Sequence, residues 1–218
     1  MSSHGQKQQK KLAKKKAKRV GKRHLLAERA STGIESLLRH AGEWPIVEAM
    51  VPEDLWQNGI GQLVISRQMP DGRIAFAVFL VDTYCLGVKN AFCNILSRSD
   101  YREFVDQVER GGLLEPVSPE TVAKLVFESI AYARAIGVSP HPDYEDARLL
   151  LTGIDPSQSL EQFEFGKDGK PFYIQGPHDS PAMLARLARQ MSIAGGVAAS
   201  VREGIPDDFD DDEEELPE

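Results

Sequence analysis

Residues 60–93 read Ile60-Gly-Gln-Leu-Val-Ile-Ser-Arg-Gln-Met-Pro-Asp-Gly-Arg-Ile-Ala-Phe-Ala-Val-Phe-Leu-Val-Asp-Thr-Tyr-Cys-Leu-Gly-Val-Lys-Asn-Ala-Phe-Cys93, and their reading decides the fold. Two apolar runs flank Pro70-Asp71-Gly72, where Pro presets φ and Gly accepts a positive φ, so the stretch predicts a β-hairpin. Aligning Met69 with Arg73 sets Ile65 opposite Ala77 and Leu63 opposite Phe79 on one apolar face. Phe76, Val78 and Leu80 then lie opposite Ser66, Val64 and Gln62 on the other. A second strand apolar on both faces is expected to be covered on both. It ends at Asp82, and the turn-like Asp82-Thr-Tyr-Cys-Leu-Gly-Val-Lys89 follows.

Hydrophobic residues make up 41% of the 218, enough for a folded core. The charge is more informative in its distribution than in its net of −7. Residues 1–24 hold ten Lys or Arg and no acid, and residues 207–218 hold nine acids and no base. The span between has 16 bases against 24 acids. An acidic body argues against a broad nucleic-acid groove on the domain itself and leaves any such binding to the arm. Cys85 and Cys93 form neither a disulfide framework nor a C-x-x-C pair, which implies a reduced, cytoplasmic setting. No apolar region follows the basic stretch as in a secretory signal, and no run is long enough to span a bilayer.

Lysines at nearly every position of residues 6–23 leave no apolar stripe, and like charges repel at helical spacing, so residues 1–28 are expected to be a disordered arm. Thr32 to Glu35 resembles a capping box, with Ile34, Leu37 and Leu38 opening a short helix that ends near Gly42. Trp44–Trp56, broken by Pro45 and Pro52, reads as one or two helical turns. Lys89–Leu96 also reads as helix. Ser99 is placed to cap a helix carrying Tyr101, Phe104, Val105 and Val108 as far as Gly111. Ser118-Pro119-Glu120 opens the best helix in the chain, with Gly137 as its stop. Ser139-Pro-His-Pro-Asp143 opens a further short one that stops at Gly153.

Phe163–Ile174 predicts a second hairpin turning at Asp168-Gly169, with Pro171 marking an edge. Ser180-Pro181 caps a last amphipathic helix through Leu184, Leu187, Ala188 and Met191, before an acidic tail over 205–218 expected to be disordered. The class expected is α+β. A small antiparallel sheet built from the hairpins at about 60–82 and 162–175 would pack with four to six helices, in one domain spanning 29–204.

Three stretches carry a resemblance: Val81-Asp-Thr-Tyr-Cys-Leu-Gly-Val-Lys89 with the strand before it, Pro140-His-Pro-Asp-Tyr144, and Phe165-Gly-Lys-Asp-Gly-Lys-Pro-Phe-Tyr173. They are similar to an uncharacterised, mostly bacterial protein family. The resemblance implies one folded unit across most of the chain and brings no activity with it.

Asp82 and Lys89 could hold a metal and stabilise developing charge. Equally, Asp82 could cap the turn, with Lys89 solvated. His141, Asp143, Glu145 and Asp146 form the densest group of potential ligands, which Asp82 or His178-Asp179 could complete. The same residues also suit a turn stiffened by Pro140 and Pro142, with acids favouring a helix N-terminus. Ser180 serves better as an N-cap than as a nucleophile beside His178. No phosphate loop, nucleotide fingerprint, zinc spacing or nucleophile elbow is present, and no cofactor is implied.

The arm, through Lys7, Lys10, Lys11, Lys14, Lys15, Lys16, Lys18, Arg19, Lys22 and Arg23, would attract polyanions by counterion release. It has no interleaved aromatics to read bases. A solubilising tail folded onto the acidic C-terminus has the same composition. The function expected is association with RNA or a ribonucleoprotein such as the ribosome through residues 1–24, with a protein partner on the body and no membrane contact. The alternative is a metal-dependent hydrolase using Asp82, Lys89, His141, Asp143 and His178.

Overall fold

The computed structural model describes residues 33–174, 185, 187–190 and 197–199. The basic arm, the acidic tail and the 178–184 stretch lie outside these residues. The central hairpin forms as its turn chemistry demands. Strand β2 (Ile60–Gln68) pairs antiparallel with β3 (Ile74–Asp82), with Leu63 against Phe79, Ile65 against Ala77 and Ser66 against Phe76. The Met69 amide donates to the Arg73 carbonyl at 2.9 Å and closes the turn, where Gly72 takes φ 86°.

The class is α+β, as the sequence predicts, but the sheet draws its other strands from elsewhere. Five strands run antiparallel in the order β4-β3-β2-β1-β5, adding β1 (Ile46–Pro52), β4 (Gly87–Leu96) and β5 (Leu114–Pro116) to the hairpin. Strand β1 replaces the helical turns expected over Trp44–Trp56 except at its end, where Leu55–Asn58 forms a single turn. Pro45 lies just before the strand and Pro52 is its last residue, positions that proline tolerates. Strand β4 replaces the helix expected over Lys89–Leu96. Val88, Ala91, Phe92 and Ile95 fit helical spacing, yet β3 presents an open edge directly after a tight turn, and the chain returns along it from Asp82↔Gly87.

The second hairpin forms only at its tip. Asp168 and Gly169 take φ 55° and 72°, and Lys167 bridges Lys170. Beyond that the arms separate, because their amides are bonded elsewhere. The Gly166 amide donates to Thr83 at 2.9 Å and the Phe172 amide donates to Tyr84 at 3.0 Å. Pro171 has no amide to give. Strand β6 (Phe172–Ile174) instead pairs in parallel with β7 (Val197–Ala199), apart from the main sheet.

Both faces of β3 are covered. Leu63, Ile65, Ala77 and Phe79 pack against Val122, Leu125, Val126 and Ile130 of the helix Pro119–Ala135, against Tyr144 and Ala147 of the turn Tyr144–Ala147, and against Leu150 and Leu151. Val64, Phe76 and Val78 pack against Tyr101, Phe104 and Val105 of the helix Arg98–Arg110. That helix is capped by Ser97, two residues before the serine the sequence suggests, with its side chain accepting from Asp100. In the long helix Ser118 accepts from the Thr121 amide and Pro119 is the first residue. Its end is a Schellman turn: Val138 N–H donates to Ala133, Gly137 N–H donates to Arg134, and Gly137 has φ 81°.

Arg67 on β2 is 3% exposed and has backbone carbonyls for partners. It donates to Leu150 at 2.8 Å, Trp44 at 2.8 Å and Thr152 at 2.7 Å. It thereby ties residue 44 and the turn after Leu151 to the sheet. Burial holds its pKa below the usual arginine value. Among the described residues no helix is long and apolar enough to cross a membrane.

Candidate functional site

The chain between β3 and β4 gathers the chemistry. Asp82 ends the strand, and its Oδ1 accepts from the amides of Tyr84 and Cys85, both at 2.9 Å. This is the turn-capping role open to an aspartate at a strand end. Burial pushes its carboxyl up to about 6, against the opposing pull of the turn amides and Lys89. The Cys85 thiol, buried in the same turn, is pushed up to about 12 by burial and by Asp82, and stays protonated.

Close packing builds the walls. Thr83 is fully buried, and its amide and hydroxyl both donate to the Gly59 carbonyl. Gly87 takes φ 65°, and a Cβ there would lie 2.7 Å from the Ser129 carbonyl and 2.8 Å from the Ala133 methyl. A Cβ on Gly59 would meet the Tyr84 ring at 2.1 Å. The Tyr132 hydroxyl is buried with no hydrogen-bond partner among the described residues. Burial raises it to about 12, with smaller contributions from Cys85 and Asp82.

Lys89 is exposed on β4. The His141 amide donates to the Val88 carbonyl at 3.0 Å, so its loop is pinned to the start of the same strand. His141 Nδ1 accepts from the Asp143 amide at 3.3 Å and lies 3.9 Å from the Asp143 carboxylate. Glu145 is bonded to Arg148 at 2.7 Å. Structure thus brings His141 and Asp143 together and gives Asp82 to turn amides. Among the described residues no three or more His, Cys, Asp or Glu side chains are grouped to hold a metal ion. His178, Asp179, Ser180 and the ten cations of the arm lie outside the described residues.

An aromatic ledge occupies the same end of the sheet and was not singled out in the sequence. Trp56 stacks on Phe163 with centroids 5.6 Å apart, and Phe165 stacks on Tyr132 at 5.4 Å. An edge contact of 6.5 Å between Trp56 and Phe165 joins the two pairs. Lys124 donates to the carbonyls of Ser159 and Glu161 and lies 5.9 Å above the Phe163 ring, while Lys167 lies 4.7 Å above Phe172. The Phe163-x-Phe165 alternation, which puts both rings on one side of an extended segment, was the available signal. Comparison of the chain with protein-family models, with curated proteins and with solved structures returns no match.

Proposed function

We propose that this chain binds single-stranded RNA, or the RNA surface of a ribonucleoprotein, through its N-terminal arm. One observation carries the reading: ten cations and no acid in residues 1–24, on a chain whose middle has more acids than bases. Counterion release drives such binding without a fixed structure. The arm holds no aromatic residue, so the binding is indifferent to sequence. The folded body contributes its core as support and its surface as a place for a protein partner. Free Cys85 and Cys93 suit a reducing, cytoplasmic setting. The test compares the full chain with one lacking residues 1–24 on a single unstructured RNA. The truncated chain is expected to lose binding, and retention of most of the affinity would refute the reading.

A second reading, a metal-dependent hydrolase, keeps one observation in its favour. In the turn that also buries the Cys85 thiol, burial raises the Asp82 carboxyl to about 6, in the range where acid–base groups work. Calorimetric titration with zinc or manganese separates the two. Binding lost in Asp82→Asn supports the hydrolase, and silence in the parent chain removes it.

A further inference from the structure

The ledge of Trp56, Phe163 and Phe165 is acidic at its rim. Trp56 is 41% exposed although its other face is stacked, and Leu160, three residues before Phe163 in sequence, is 94% exposed. Glu53 and Asp54 precede Trp56, Glu161 and Glu164 flank Phe163, and all four are exposed. Carboxylates near an exposed indole ring repel phosphate and attract ammonium and guanidinium groups. The molecule already uses this chemistry on neighbouring rings, where Lys124 and Lys167 lie over Phe163 and Phe172. An occupant rich in Lys and Arg is therefore favoured over nucleic acid.

Such a segment is present in the chain itself. Residues 1–32 precede the first described residue, Gly33, and ten cations fall between Lys7 and Arg23. Gly42 lies near the Arg67 end of β2, since a Cβ there would touch Thr152, whose carbonyl bonds Arg67, and Ile34 and Leu38 before it pack in the same core cluster as Leu150 and Leu151. Trp56 is four residues before the opposite end, Ile60. Nine residues of strand separate these ends by about 30 Å. The ten residues from Arg23 to Gly33 reach roughly 33–36 Å when extended, so the arm is long enough to cross.

We propose that the basic arm docks on this acidic aromatic ledge of its own body and that docking competes with polyanion binding. The competitive part rests on the RNA reading above; the docking part does not. Intramolecular attachment raises the effective concentration of the arm, so weak pairings suffice. Because the contacts are exposed and electrostatic, salt dissolves them.

Trp56 is the reporter, since Trp44, the second tryptophan, is 9% exposed. Acrylamide quenching is measured in the full chain carrying Trp44→Phe, with the native arm and with its ten Lys and Arg changed to Gln. At low salt the native arm is expected to shield Trp56, cutting quenching about two-fold relative to the Gln arm. At about 1 M salt, where the Debye length is near 3 Å, the two should coincide. A single-stranded oligonucleotide should release the shielding, and the Glu53→Gln, Asp54→Asn, Glu161→Gln, Glu164→Gln chain should bind that oligonucleotide several-fold more tightly. Equal quenching of the two arms at low salt overturns the docking, including the case in which the arm pairs with the acidic tail. Shielding by the native arm without any oligonucleotide binding upholds the docking and removes the RNA function.

Discussion

At Asp82 the hydrogen bonds and the burial act in opposite directions. The turn amides favour the carboxylate, while burial disfavours it more and sets the pKa near 6, against 3.8 for the free group. Between about pH 4 and 6 the folded chain holds a proton that the unfolded chain has released. Stability therefore falls as pH rises through that window, by about 2–3 kcal/mol. An asparagine keeps an acceptor for the Tyr84 and Cys85 amides without burying a charge. Asp82→Asn should be at least as stable as the parent at pH 7, and its stability should be flatter from pH 4 to 6. Denaturant melts at both limits check this, and a clear loss of stability at pH 7 would contradict it. Arg67 makes the opposite case. Arg67→Ala strands the carbonyls of Trp44, Leu150 and Thr152 in the interior and should lower the unfolding free energy by about 3–5 kcal/mol. Phe79, fully buried opposite Leu63, should cost a similar 3–5 kcal/mol when cut to alanine. A denaturant midpoint barely moved in either variant would mean that these contacts hold nothing.

At the scale of elements, the joint between β4 and the helix Pro119–Ala135 is fixed by the absence of a side chain. Gly87→Ala places a methyl within 3 Å of Ser129 and Ala133 and strains a left-handed backbone. It should cost about 2–4 kcal/mol. Hydrogen exchange should quicken first at the amides of Val88 to Ala91, and unchanged protection there would contradict the packing. The same joint shows what the sequence could and could not tell. The central hairpin was legible residue by residue, because Pro70-Asp71-Gly72 fixes the turn and the turn fixes the register. The long helix was legible from Ser118, Pro119 and Gly137. Strand β4 was not, because the bulge at Lys89 breaks its alternation, and Val88, Ala91, Phe92 and Ile95 mimic a helix. The Phe163–Ile174 hairpin was half legible. Local turn chemistry made its tip, and amide bonds to Thr83 and Tyr84, invisible in sequence, took its arms away. For the site, the turn role of Asp82 was readable from a strand end followed by polar residues. The buried Arg67 was not, since its acceptors are carbonyls more than twenty residues away in either direction.

Over the whole molecule, charge is segregated along the chain more sharply than the net of −7 suggests. A cationic arm and an anionic tail flank an acidic body, so polyanions are drawn to the arm and repelled elsewhere. If the tail also engages the arm, it competes with any polyanion for it, so removing residues 207–218 should tighten RNA binding, seen as a lower dissociation constant at one fixed salt. An unchanged or weaker affinity would mean the tail does not engage the arm. The central claim, that the arm binds RNA by counterion release, is met most directly by a salt series on the full chain with one unstructured single-stranded RNA. If about five cations reach phosphates, log K should fall against log salt with a slope of roughly −3.5. The chain with Gln at Lys7, Lys10, Lys11, Lys14, Lys15, Lys16, Lys18, Arg19, Lys22 and Arg23 should show almost no slope and little binding. Affinity that ignores salt, or that survives those ten substitutions, would contradict the account.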